Sequence, residues 1–258
     1  MASGYYGVSR RLLFDSISPA NASDLLRPEI ENLLPKTFRH VTSQSSSDLF
    51  VKVHDDARRT EDGDWLYPPD CVRAVIYLVR HPYDVTVSCA HHLGLTLEEM
   101  VNLMADDAIV SHFENSLPLS LPQHVGSWSS NASSWLGPTP YAVSFARYED
   151  LHLDPVGSFR RLARAAGFQV ADPEIANAVE ATQFDSLRRQ EQESGFRERP
   201  PTSSTFFREG RPRTWEGVLS QELRDKLARD HSVMMEKLGY AADGSILPLP
   251  DATATSRA

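Results

Sequence analysis

Apolar positions along the chain follow two rhythms. Three short runs, Leu49 to Val53, Val72 to Val79 and Tyr141 to Phe145, are rich in Val, Ile and aromatic residues and predict buried strands. Elsewhere apolar residues return at helical spacing. Thr96 and Glu99 outline a capping box ahead of Met100, Val101, Leu103 and Met104. Ser127 opens a helix that places Trp128 and Trp135 one heptad apart on one face. Asp154-Pro155 supplies an N-cap and a first-turn proline before Val156, Phe159, Leu162, Ala163 and Ala166, and Gly167 closes that helix. Asp172-Pro173 repeats the device for a helix reaching Glu180, and a last helix from Ser220 to Gly239 is predicted to bury Leu223, Leu227, Val233, Met234 and Leu238.

Strands alternating with helices predict an α/β domain built on a parallel sheet, with ligands beyond the carboxyl ends of the strands. No internal repeat interrupts it. The domain is expected over residues 1–245, and residues 246–258, a Pro, Ala, Ser and Thr stretch without period, as a flexible tail.

Composition narrows the function. A chain of 258 residues with 41% hydrophobic and 24% charged residues can bury a sizeable core. Cys71 and Cys89 are its only cysteines and lack metal-ligand spacing, which suits a reducing cytosol and predicts neither disulfide nor metal. No apolar run approaches membrane-spanning length, and Met1 to Arg11 lack a signal-peptide core, so a cytoplasmic protein without a membrane partner is expected. The net charge of −9 argues against nucleic acid as a partner. An anionic ligand would need a local basic site. Arg188, Arg189, Arg197, Arg199, Arg208, Arg211 and Arg213 outnumber Glu191, Glu193, Glu198 and Glu209 over one stretch, which is either such a site or a solvated loop.

The run Val75-Ile-Tyr-Leu-Val-Arg80-His-Pro-Tyr-Asp84 turns abruptly from apolar to charged, so Arg80 ends a strand. A helix after Pro82 puts Asp84 and Ser88 on one face, where Arg80 and Ser88 can converge on an anion; an Arg80–Asp84 ion pair is the alternative. Period-two alternation puts Lys52 and His54 on the same side of the strand predicted from Leu49, both near its end. An imidazole there can take a proton from an attacking hydroxyl, or be structural. The pair His91-His92 has no ligand set around it that would make a zinc site.

Tyr77 to Ser88 resembles the motif Tyr-Leu-Val-Arg-Asn-Pro-x-Asp-Val-x-Val-Ser of sulfotransferases that use 3′-phosphoadenosine-5′-phosphosulfate, bacterial members especially. The resemblance implies that Arg80 and Ser88 bind the donor's 3′-phosphate; His81 replaces the usual Asn. Lys52-Val-His54 resembles the family's Lys-Thr-His, which implies His54 as general base with Lys52 assisting. Tyr148-Glu-Asp150 and Thr182 to Leu187 resemble segments that line the nucleotide. Tyr148 is implied there, with Phe184 on an adenine face and Thr182 at its edge, against core packing and helix-end capping as alternatives. Thr205 to Trp215 resembles Phe-x-Arg-Lys-Gly-x-x-Gly-x-Trp, which implies that Arg208 and Gly210 also meet the 3′-phosphate. Glu209 replaces Lys there, and Arg213 or Thr214 stands where a second Gly is common.

The resemblance extends from about Val8 through Tyr240. It implies a three-layer sandwich around a central parallel sheet, the P-loop-nucleotide-hydrolase-like sulfotransferase fold. The implied reaction moves a sulfuryl group from the nucleotide co-substrate, without metal, to a hydroxyl of a small-molecule acceptor whose pocket includes Glu114 to Val125. No segment like the family's Tyr-Pro-Lys-Ser-Gly-Thr/Asn-Thr-Trp loop occurs in Met1 to Phe50, and Val8 to Asp15 resembles the part of the family that comes after that loop and its helix. An N-terminally incomplete domain, marginal alone or dependent on another chain, is therefore expected. A truncated, non-catalytic nucleotide-binding or interaction protein is the alternative function. A kinase of related fold would need a Gly-rich loop ending in Gly-Lys-Ser/Thr, which is not visible. Oligomeric state, a homo-oligomer included, stays open.

Overall fold

The computed structural model describes residues 11–111, 121–196, 199 and 204–249. In chain order the elements are α1 (Arg11–Ile17), α2 (Arg27–Ser43), β1 (Val75–Val79), α3 (Pro82–Leu93), α4 (Leu97–Met104), β2 (Val110–Ser111), β3 (Gln123–His124), α5 (Trp128–Leu136), β4 (Val143–Arg147), α6 (Tyr148–Leu153), α7 (Pro155–Ala165), α8 (Asp172–Ala181), α9 (Phe184–Ser194) and α10 (Gln221–Lys237). They fall into two units, Met1–Val75 with Asp106–Val143, and Ile76–Ala105 with Ser144–Ala258.

The first unit buries Phe14 of α1 and Ile30, Leu34 and Phe38 of α2. Phe38 meets Tyr67 edge-on at 5.0 Å between ring centroids, and Trp135 of α5 lies 6.1 Å from Tyr67 and 5.6 Å from Tyr141. Tyr141 donates its hydroxyl to the Tyr67 carbonyl at 2.5 Å, so its ring is bound into this core and the strand expected from Tyr141 begins at Val143 instead. β2 and β3 pair antiparallel, Val110 opposite His124 and Ser111 opposite Gln123. The strand expected over Leu49 to Val53 does not form: only Phe50 makes a bridge, and the backbone beyond it is held by side chains.

In the second unit β1 and β4 pair in a parallel sheet with helices around it, the α/β arrangement predicted. β1 starts at Val75, not Val72, because Pro69–Cys71 forms a 3-10 turn. Its run reads as buried on both faces, yet Ile76 is 41% and Leu78 60% exposed. Helix starts follow the capping signals closely. Thr96, Ser127, Asp154 and Ser220 each accept a backbone N–H of the first turn of their helix. Gly167 ends α7 in the left-handed region at φ 82°.

Three helix expectations need correction. Ala171, not Asp172, caps α8, and its N–H is bonded by Glu174. On α10 Val233 is exposed and Leu223 only half-buried, while His231 and Met235 are buried, a rotation of the buried stripe. Phe159 of α7 is also exposed. At the other end Ile246 bridges Tyr240, and the Leu247 carbonyl accepts from Arg147 at 2.7 Å, so residues 246 and 247 are anchored rather than part of a loose tail. Residues 250–258, Val8 to Arg10, Arg197, Glu198 and the acceptor-wall stretch Glu114 to Ser120 lie outside the described residues.

Candidate functional site

The segment carrying Lys52 and His54 belongs to the first unit. Exposure alternates along it: Lys52 and His54 are exposed, Val51 and Val53 half-buried, Asp55 buried. The period-two reading thus survives without a strand, because other groups take the place of a ladder. The His54 N–H donates to Oε1 of Gln123 at 2.7 Å, and the His54 carbonyl accepts from Nδ2 of Asn131 at 3.1 Å. The Asp55 carbonyl accepts from the Trp135 indole at 2.9 Å, the Asp56 N–H donates to the His124 carbonyl at 2.9 Å, and the Ala57 N–H donates to Ser134 Oγ at 2.9 Å. Asn131, Ser134 and Trp135 are spaced i, i+3, i+4, so one face of α5 serves the whole segment.

Beneath His54 the Asp55 carboxylate accepts from the Tyr67 hydroxyl at 2.6 Å and from the His124 N–H at 2.8 Å. Burial pushes its pKa up to about 6, with the Tyr67 and His124 donors opposing. Gln123, Asn131 and Asp55 carry no signal in the sequence that singles them out; the heptad on α5 marks only Trp128 and Trp135.

The strand-turn-helix belongs to the second unit. Arg80 follows β1 as predicted, with its side chain 21% exposed. Its guanidinium stacks 4.3 Å from the Tyr148 ring centre, donates to the Arg211 carbonyl at 2.9 Å and lies 3.6 Å from Asp84. The ion pair weighed in the sequence is present, but Asp84 has other work. Its carboxylate, buried in α3's first turn, accepts from the Arg213 N–H at 2.8 Å and from the Thr214 N–H and hydroxyl, both at 2.7 Å. Asp84 therefore ties the 211–214 segment to α3. Ser88, one turn on, is exposed.

His81 fills the Asn position of the motif by doing what an Asn does. It is the N-cap of α3, and its Nδ1 accepts the Tyr83 N–H at 3.2 Å. Nε2 lies 3.4 Å from the Ala241 carbonyl, which selects the tautomer with the proton on Nε2. The His81 N–H donates to Glu149 Oε1 at 2.9 Å, and Glu149 Oε2 accepts the Tyr240 hydroxyl at 2.8 Å.

The loop after α9 is equally built. Buried Glu191 accepts the Phe206 and Phe207 N–H groups at 2.6 and 3.0 Å, holding the segment that leads to Arg208. Gly210 sits at φ 62°, and a Cβ there would overlap the Phe184 ring. Phe184 and Gly210 are thus brought together, and Phe184 also lies 6.1 Å from Phe207, which is the packing alternative for that ring. Arg208 is exposed and makes no ion pair among the described residues. Arg213, one of the two positions at which the resemblance implies a second Gly, adopts φ 63°, the conformation a glycine would take freely. Glu209 pairs with Arg211 at 3.2 Å. Thr182 is exposed, and its hydroxyl donates to the Ala178 carbonyl at 2.7 Å, the helix-end alternative.

Residues 70–239 match the model of the sulfotransferase domain. The chain belongs to the sulfotransferase family. Among its relatives is a flavonol 3-sulfotransferase of Flaveria bidentis, 24% identical over 93% of this chain and 77% of that one. The fold is similar to that of a mouse sulfotransferase complexed with PAP, with a TM-score of 0.52, 20% identity and coverage of 77% of this chain and 71% of the other. It is also similar to a retinol dehydratase in complex with retinol and PAP, with a TM-score of 0.54 and 19% identity, over 86% of this chain and 64% of the other, less than two thirds of its length. The matched stretch contains Arg80, Ser88, Tyr148, Thr182, Phe184, Arg208 and Gly210, while Lys52 and His54 precede it. Within the described residues no helix of this family member is long and apolar enough to cross a membrane.

Proposed function

We propose that the protein transfers a sulfuryl group from 3′-phosphoadenosine-5′-phosphosulfate to a hydroxyl of a small-molecule acceptor. The single observation that carries this reading is the family match over residues 70–239, which includes the strand-turn-helix and the 204–215 loop. The single domain expected over residues 1–245 contains the whole of that match.

The chemistry of the second unit suits the 3′-phosphate end of the donor. Arg80 is held by Tyr148 and the Arg211 carbonyl, so its planar donors are oriented in advance. Ser88 and Arg208, both exposed residues, would supply a hydroxyl and a guanidinium. Gly210 allows its backbone to approach closely, and Phe184, Thr182 and Tyr148 are assigned to the nucleoside. When bound, the donor supplies an activated sulfuryl group on a nucleotide leaving group. The part assigned to His54 is to accept the proton of the acceptor hydroxyl as its oxygen bonds to sulfur, and Lys52 offsets developing negative charge. The alternating exposure along the segment supports both assignments, since Lys52 and His54 are its exposed residues.

The flavonol and retinol in the names of the relatives support a hydroxylated small molecule as acceptor. A cytoplasmic location accords with the two free cysteines. The test is transfer of labelled sulfate from the donor to a panel of phenols, flavonols and alcohols by wild type and His54→Ala. Product from wild type and a loss of at least about a hundredfold in the variant is the expected result; equal rates would remove His54 from the mechanism.

A further inference from the structure

We propose that Gln123 and Asn131 are positioning residues that hold His54 in register for proton transfer; this rests on the reading of His54 as the base. His54 lies outside the named strands, so its backbone must be positioned by other groups. Two side-chain amides do this. Oε1 of Gln123, a residue only 5% exposed, takes the His54 N–H at 2.7 Å, and Nδ2 of Asn131 donates to the His54 carbonyl at 3.1 Å and to the Val125 carbonyl at 2.8 Å.

The two amides come from different elements, and each is fixed by its own element. Gln123 is half of the β2–β3 bridge, opposite Ser111. Asn131 is on α5, whose N-terminus Ser127 caps and whose Trp135 anchors the next residue, Asp55, through its carbonyl. Both backbone groups of His54 are thereby bound from outside its own segment, as a ladder would bind them, and the residue as a whole is exposed. Proton transfer needs the base within hydrogen-bond reach of the hydroxyl, and displacement by about 1 Å commonly costs on the order of a hundredfold in rate.

The experiment compares Gln123→Met and Asn131→Leu, which keep size and remove the acceptor or donor, in the wild-type and His54→Ala backgrounds of the full chain. With labelled donor and the acceptor panel, each substitution is expected to lower kcat about tenfold to a hundredfold in the wild-type background, with KM for the donor unchanged. In the His54→Ala background the same substitutions are expected to change the residual rate less than about twofold, because there is no base left to misplace. Hydrogen exchange at the His54 amide should accelerate in Gln123→Met, and Gln123→Asn, with an acceptor on a shorter arm, should fall between Met and wild type. Equal fold losses in both backgrounds would reduce the pair to structural roles and overturn the proposal. Wild-type turnover with no loss in either variant would overturn it while leaving the base assigned. Absence of any turnover by wild type would remove the base reading and this inference together.

Discussion

His81 makes the stability of the second unit depend on acid in a calculable way. The imidazole is 1% exposed, caps α3 through Nδ1 and lies between the rings of Tyr83 and Tyr240 at 4.5 and 4.9 Å. Protonation would put an N–H where the cap must accept one. Burial lowers its pKa from 6.5 to about 4, the Ala241 carbonyl and Asp84 acting in the opposite direction and Arg213 with burial. The folded protein therefore binds fewer protons than the unfolded chain between these values. The contribution of neutral His81 is complete above pH 6.5 and is lost as the pH falls toward 4. At about 1.4 kcal/mol per pH unit, the loss is about 2 kcal/mol by pH 5 and approaches roughly 3 kcal/mol below pH 4. His81→Asn keeps a capping acceptor and cannot titrate. Urea melts from about pH 7.5 to 5, followed by the fluorescence of buried Trp215, should show the gap between wild type and variant shifting by about 2 kcal/mol toward the variant. The fixed packing difference between His and Asn sets the offset of the two curves, and only the slope carries the argument. Parallel curves would refute the claim that His81 must stay neutral.

Three other outcomes are expected from the same geometry. Gly210→Ala forces a Cβ into Phe184 at a positive φ and should cost about 2 kcal/mol or more in a thermal melt, with weaker binding of adenosine 3′,5′-bisphosphate by calorimetry; an unchanged melting temperature would show that the contact is relaxed in solution. Arg213→Gly relieves a left-handed non-glycine residue at the expense of the exposed pair with Glu216, so a gain of up to about 1 kcal/mol in denaturant melts is expected, and a clear loss would show the side chain to matter more than its backbone. Tyr67→Phe removes a donor that opposes burial at Asp55, so the carboxyl should titrate above its present value of about 6 in carbon NMR; a lower midpoint contradicts the assigned bond.

Local signals are the most legible in the sequence because their causes are local. A hydroxyl or carboxylate that accepts a backbone N–H three residues on marks a helix start with atoms from a single turn, as Thr96, Asp154 and Ser220 do, whereas Asp172 before Pro173 lies inside α8 and Ala171 is its N-cap. Arg80 at the end of β1 rests on the same kind of signal, an apolar run that stops. What was not legible depends on distant partners. The run from Leu49 to Val53 has the composition of a strand, but the adjoining backbone is satisfied by Gln123, Asn131 and Trp135, between 69 and 80 residues away. Helix α2 carries Pro35 in its interior and no side-chain cap, and α9 is mostly polar, so neither declares itself. For Arg80 the sequence offered an anion site or an ion pair with Asp84; the structure contains the pair, and adds Tyr148 and the Arg211 carbonyl, contacts that no spacing encodes.

The bonds around His81 also impose an order of events on synthesis. The cap of α3 is completed by the Ala241 carbonyl, 160 residues further along, and the carboxylate that receives the His81 N–H is itself held by Tyr240. Asp84 likewise waits for Thr214, 130 residues later. A ribosome adding about 5–20 residues per second needs on the order of ten seconds to bridge such gaps. During that interval the start of α3 emerges without its partners, with Tyr83 and its neighbours unburied. The nascent chain should therefore be most vulnerable to proteases and most dependent on chaperones between the appearance of His81 and that of Tyr240, a window that pulse-chase proteolysis of stalled chains can map.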